Sequence, residues 1–201
     1  MRNQVSIAMI AGSLLLAGCM SMPLTTMYKL SNLDPMAADP AQIKIAIRAD
    51  DRIGIPEGGV NIKAKFDADD GNLNFDETFV VEIIRNPIMS IDLVKDTRPG
   101  ETVTVLQLTE HDAQRFRVLQ LSLAPYVEGE RKGTGSFGID ISGVCLHNPM
   151  PAEDILLDIF LQTSNDDGYY VFLRDLDLGD LSDDEDADSV EWPICEKMQV
   201  S

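Results

Sequence analysis

Gln42-Ile43-Lys44-Ile45-Ala46-Ile47-Arg48 decides the fold class. Ile43, Ile45 and Ile47 alternate with Lys44, Ala46 and Arg48, the period-two pattern of a strand with one face in a core and one toward water. The pattern recurs downstream, where Val60, Ile62, Ala64 and Phe66 alternate with Asn61, Lys63, Lys65 and Asp67. Residues 78–84 are apolar on both sides, as in a central strand. Asn86-Pro87 stops that run, because proline lacks the ladder N–H and restrains the residue before it. Residues 88–94 and 102–108 read as further strands joined by a turn at Arg98-Pro99-Gly100.

The period changes at Thr109. This residue stands as an N-cap before Glu110-His111-Asp112, with acids in the first helical turn. Ala113, Phe116, Leu119 and Leu123 follow at helical spacing. Pro125 is expected to end the helix near Ala124; alternation over 119–123 leaves a strand as the competing reading. A Gly-rich turn is expected at 133–138. After it, Ile139, Ile141, Gly143 and Cys145 fall on one strand face and Ile155, Leu157, Ile159 and Leu161 on another. Asn165-Asp166-Asp167-Gly168 is a turn, and residues 169–173 complete a hairpin. The chain is therefore expected to be mainly β: an antiparallel β-sandwich or open barrel of about seven to eight strands, with one helix over an edge or end.

Ahead of this domain, an apolar run from Val5 follows Arg2 and closes in Leu16-Ala17-Gly18-Cys19. The run is about a dozen residues, shorter than the roughly 20 that span a bilayer core. A positive start, a short apolar core and a small-residue exit describe a cleaved signal. The closing residues resemble the lipobox of the bacterial lipoprotein class. That resemblance covers the first 19 residues and implies a signal peptide over 1–18 and a mature chain starting at a lipidated Cys19. Met20, where an Asp would imply inner-membrane retention, implies the outer membrane, at its periplasmic face. Acyl chains hold by about 0.8 kcal/mol per buried CH₂. Residues 19–41 carry Pro23, Pro35 and Pro40 and read as a tether. It could reach about 65–70 Å when extended, and a short strand near 28–30 could dock back on the domain. Residues 42–201 form the β-rich domain, with an acidic loop at 175–191.

With Cys19 taken by lipid, Cys145 and Cys195 remain as an even pair in an oxidising compartment, where a disulfide is expected. It would close a loop of about 50 residues, contributing roughly 4 kcal/mol. A zinc site from Cys145, His147 and Cys195 is the competing arrangement.

The formal net charge is −18. Such a chain is repelled by nucleic acid and by anionic lipid surfaces. Its natural partners are divalent cations or a basic protein, although solubility alone explains the charge as well. The sharpest acidic stretch runs from Asp67 to Glu77. Asp70, Gly71, Leu73 and Glu77 stand where the second half of an EF-hand loop, which it resembles, has a ligand, its glycine, its aliphatic and its final Glu. Phe66 and Ala68 occupy the first two ligand positions, and the incoming segment is a strand. The candidate calcium ligands are thus Asp67, Asp69, Asp70, Asn72, Asn74 and Glu77, with a solvated hairpin connection as the alternative. The second stretch, Asp175, Asp177, Asp180, Asp183, Asp184, Glu185, Asp186 and Asp188, reads as a solvated loop or a docking segment for cations or a basic partner.

No Gly-x-Ser-x-Gly, His-Glu-x-x-His, phosphate loop or dinucleotide fingerprint is present, and the chain has a single Trp. The leading expectation is a non-enzymatic lipoprotein that binds another envelope protein or assists an assembly. The alternative is a binder of calcium or a small ligand through the 67–77 loop, calcium being the one cofactor candidate. A third reading is an envelope hydrolase without a recognised motif.

Overall fold

The computed structural model describes residues 38–129, 131–141, 143–149, 151, 155–177 and 192–195. The signal, the lipobox with Cys19, the tether up to residue 37 and the acidic stretch 178–191 lie outside the described residues. A single 3-10 turn, Pro40–Gln42, opens the fold. Then follow β1 (Lys44–Asp50), β2 (Ile53–Gly54), β3 (Val60–Ala68), β4 (Asn74–Ile83) and a one-turn helix α1 (Ile91–Val94). β5 (Glu101–Leu108), α2 (Glu110–Val127), β6 (Gly133–Ile141), β7 (Cys145–Leu146), β8 (Leu156–Gln162) and β9 (Tyr170–Asp177) complete it. Seven strands form one antiparallel sheet in the order β6-β3-β4-β5-β1-β8-β9, strongly curled into a half-barrel, and β2 pairs with β7 in a small second sheet. No helix among the described residues is long and apolar enough to cross a membrane.

Alternation sorts each strand onto two faces. The inner face, covered by α2, takes Ile45 and Ile47 of β1, Val60, Ile62 and Phe66 of β3, Phe79 and Val81 of β4, and Leu157 and Ile159 of β8 into the main core. The outer face carries a smaller core of Ala46, Leu93, Val105, Phe160 and Tyr169. β1 was expected to be half-buried, yet both its faces are covered. The reason lies in residues 84–100. A fourth strand had been expected at 88–94, but β4 and β5 are direct neighbours, so no sheet position is left for it. The segment instead crosses the outer face as a strap, and α1 lowers Leu93 onto Ala46 and Val105. Ile88 is left 97% exposed. β4 likewise departs from expectation: it is interior in the sheet, but Val80 on its outer face is exposed.

Arg48 is buried on the outer face between β5 and β8. Its Nη2 lies 2.5 Å from Asp158 Oδ2, its Nε 3.8 Å from Glu101, and its guanidinium stacks over Phe160. A charge this buried persists only when paired.

Three further expectations change. The helix does not stop at Ala124 but carries Pro125 inside it and runs to Val127. The missing proline N–H leaves only the Leu121 carbonyl without its helical partner, and Leu121 lies on the solvent side, where water can serve. The Gly-rich stretch 133–138 is not a turn but most of β6, paired in unbroken register with β3 from Gly133↔Ala68 to Ile141↔Val60. Phe66 requires two of the three glycines: a Cβ would sit 2.3 Å from Phe66 Cζ at Gly133 and 3.0 Å from its ring at Gly135, whereas Gly138 meets nothing within 4 Å. The face expected to run from Ile139 to Cys145 is broken after Ile141, and Cys145 begins β7. The Asn165–Gly168 turn and the β8–β9 hairpin are as expected, with β9 drawing Asp175 and Asp177 into the sheet.

Candidate functional site

β5 pairs with only the last part of β4, from Val81↔Leu108 to Ile83↔Leu106. At Thr109 the chain leaves the sheet, and its hydroxyl accepts from Asp112 N–H as the N-cap. Asp112 then replaces the missing strand: its Oδ2 accepts from Val80 N–H at 2.8 Å, and Oδ1 accepts from Arg115. Arg115 continues to Glu77 at 2.5 Å and stacks over Phe79. Burial opposes charge on Asp112, but the Val80 N–H and the Arg115 guanidinium outweigh it and hold the carboxyl below its usual range. Together these contacts place α2 across the inner face.

Phe116 inserts edge-on between Phe79 and Phe137. Nearer the helix C-terminus, Tyr126 meets Phe66 edge-on and Phe66 stacks with Phe75. β6 stands off from this end of the helix, leaving a cleft of about 590 Å³ between α2 and the β6–β3 edge. Its floor is Phe66, Phe75, Leu119, Leu123 and Tyr126, and its rim carries Lys65, Arg131 and Lys132 against the single acid Asp69. A net-acidic chain thus sets three cations around an aromatic floor, two of them ion-paired at the margin, Arg131 with Asp70 at 3.8 Å and Lys65 with Asp76 at 3.9 Å. A smaller cleft of about 360 Å³ opens on the other flank of α2, sharing Phe75 and Leu119. Neither histidine lines either cleft.

The outer edge of β6 borders the larger cleft, and among the described residues no strand pairs with it. Thr134 to Gly138 carry no charge. Among the described residues the arrangement therefore sets an edge without a strand partner, apolar floor area and cations along one line, the elements by which an extended chain is recognised.

The sequence-derived candidates fall as follows. Cys145 and Cys195 are joined in a disulfide, with Leu146 and Cys195 bonded through their backbones. Two sulfurs so joined cannot serve zinc as thiolates, and His147 stands exposed beside them. Cys19 lies outside the described residues. The six calcium candidates are not assembled into a ligand shell. Asp67 pairs with Asn74 at the β3–β4 hairpin end, and Asn74 Oδ1 accepts from Ala68 N–H. Asp70 Oδ1 accepts from Asn72 N–H, which, with Arg131 and Tyr126 nearby, holds its carboxyl below the usual range. Glu77 pairs across from Ala64, three residue pairs or about 10 Å along the strand, where Arg115 takes it. Asp69 lines the larger cleft. Ligands for calcium must converge to within 2.3–2.6 Å of one point; among the described residues no group of three or more acids, histidines or cysteines does so.

The cleft itself escaped the sequence reading. One signal was available: Arg131-Lys132 is the chain's one adjacent basic pair, placed directly before the Gly-rich run. No protein-family model, no curated protein and no solved structure matches this chain.

Proposed function

We propose that this chain is a non-enzymatic protein-binding lipoprotein of the bacterial envelope, anchored at the outer membrane through Cys19. Its half-barrel takes an extended segment of another protein along β6. The observation that carries the reading is the edge of β6, uncharged over Thr134 to Gly138 and without a strand partner among the described residues, beside an aromatic cleft ringed by Lys65, Arg131 and Lys132. Backbone pairing supplies affinity, pockets for alternate side chains supply specificity, and the cations favour acidic residues in the incoming segment. The test places a photo-crosslinking residue at Thr134 or Ser136, and in a control at Asp175 on the opposite edge, in intact cells. The expected result is one discrete adduct from the β6 positions, mapping to an extended segment with acidic residues, and none from Asp175. Equal labelling at both edges, or none at β6, rejects the reading.

A further inference from the structure

The strap that crosses the outer face turns its two sides to different surroundings. Leu93 is buried in the smaller core with Ala46 and Val105. Ile88 is 97% exposed, Ile91 70%, Val94 41% and Met89 39%. Single exposed aliphatics are ordinary on a protein surface, but a row of them in one short stretch marks a contact site.

The charges of the strap are sorted in the same way. Its two acids turn toward the protein. Asp96 meets Arg174 of β9 at 4.0 Å, and Asp92 lies against the Asn165–Gly168 turn, where a Cβ on Gly168 would sit 2.4 Å from its Oδ2. Arg85, Lys95 and Arg98 are exposed. Arg98 reaches Glu101 at 3.8 Å, whereas among the described residues Arg85 and Lys95 have no ion pair. In a chain with 34 acids and 16 basic residues, two cations left unpaired beside an aliphatic row invert the local charge.

Such a surface complements a layer that is anionic outside and apolar beneath, the interface of a phospholipid bilayer. The row projects, and a fluid layer closes around projecting side chains, whereas a folded partner has to bring a matching groove. Repulsion by the net charge of the chain is screened beyond about 8 Å at physiological salt, so the groups in contact decide.

We propose that the strap 84–100 contacts a membrane, with Ile88, Met89, Ile91 and Val94 entering the interface and Arg85 and Lys95 meeting anionic headgroups. This goes beyond the reading of β6 and does not depend on it; it rests on the lipoprotein reading only for the nearness of a membrane. The strap and α2 lie on opposite faces of the sheet, so contact through the strap turns α2 and both clefts away from the bilayer.

Fluorescence on the full chain tests this. A nitrobenzoxadiazole label is placed through Ile88→Cys, and in a control through Leu121→Cys on α2, with vesicles of phosphatidylethanolamine and phosphatidylglycerol that carry brominated acyl chains. Cys145 and Cys195 are joined and do not take the label. Label found at Cys19 by mass spectrometry reports loss of the anchor separately. The label at position 88 is expected to shift to the blue and to be quenched by bromine, and the label at position 121 to do neither. Arg85→Gln with Lys95→Gln should move the strap from bound to free by about 25-fold, roughly fivefold for each cation lost. Ile91→Asp should abolish quenching at position 88 with melting unchanged, since Ile91 is exposed. No quenching at position 88, equal quenching at position 121, or no response to these variants overturns the proposal. A blue shift without quenching that requires added envelope protein assigns the strap to a protein partner and overturns it too.

Discussion

The sheet has two edges, and they are built to opposite specifications. β9 is irregular: its register with β8 shifts around Ile159, and Asp175 adopts a positive φ of 47°. The Asp175 N–H is taken by Asp158 Oδ1, and Arg174, Asp175 and Asp177 bring charge to the strand. Bulges and charges of this kind keep a strand edge from pairing with other chains. β6 has no bulge and almost no charge. It holds nine residues in unbroken register and carries one charge, Asp140, near its end. Among the described residues one edge is guarded and the other is left without a strand partner beside an aromatic cleft, and the proposed binding rests on that contrast.

The largest expected effect comes from dismantling the guarded edge. Asp158→Ala removes the partner of buried Arg48 and the acceptor for Asp175 N–H together. Breaking a buried pair costs about 3–5 kcal/mol, and with Glu101 still 3.8 Å from Arg48 the lower end is expected, measurable as a lower urea midpoint; a loss below about 1 kcal/mol would show that the β9 irregularity does not depend on this pair. Next is the Cys145–Cys195 bond, which ties the chain beyond β9 to β7, just after β6. Replacing both cysteines by serine is expected to cost about 2–4 kcal/mol in the same assay, and crosslinking at Ser136 should persist if the β6 edge stands without that tie.

On the open edge, Gly133→Val drives a side chain into Phe66. Overpacking of this sort costs about 1–3 kcal/mol, visible in thermal melts, and the displaced ring should fill the cleft and abolish adducts at β6. Acid probes the junction that holds α2 above that edge. The folded pKa of Asp112 lies below its unfolded value, so its stabilisation is present above about pH 4 and is lost as pH falls through the folded pKa. Asp50, lowered to about 2 by its Arg52 hydrogen bonds, acts with the same sign. Asp112→Asn should therefore flatten the loss of stability below pH 4; an unchanged slope would assign acid sensitivity elsewhere. The smallest structural effect belongs to Thr134→Lys with Ser136→Lys. Both positions are exposed, so stability should move by no more than about 0.5 kcal/mol, yet β6 would acquire the kind of charge that β9 has. If adducts at a neighbouring β6 position survive this change, the contrast between the edges carries no function.

Much of the fold is legible in the residues because period-two burial is a local property. Val60 to Phe66 alternate in the sequence and alternate in the sheet. Thr109 caps the helix it was expected to cap, since a cap needs only neighbours a few residues away. The readings that failed depend on partners far along the chain. Residues 88–94 look like a strand until β4 and β5 are seen to be adjacent. The glycines of 133–138 look like a turn until Phe66 is seen to need the space. The spacing in Asp67–Glu77 likewise does not reveal that the hairpin register sets Glu77 beside Arg115.

Composition, alternation and capping by themselves determined that this is an acidic, mainly β, antiparallel chain with one long helix between its fifth strand-like run and the rest. They marked Cys145 and Cys195 as a pair, through parity and the lipobox resemblance. Only tertiary structure decided that the sheet curls into a half-barrel, that β6 and β9 are its edges, and that Lys65, Arg131 and Lys132 meet around Phe66 and Tyr126. The reason is physical. A strand's periodicity states which side is buried but not which strand lies beside it, and a cleft between an edge and a helix exists only once both neighbours have been chosen.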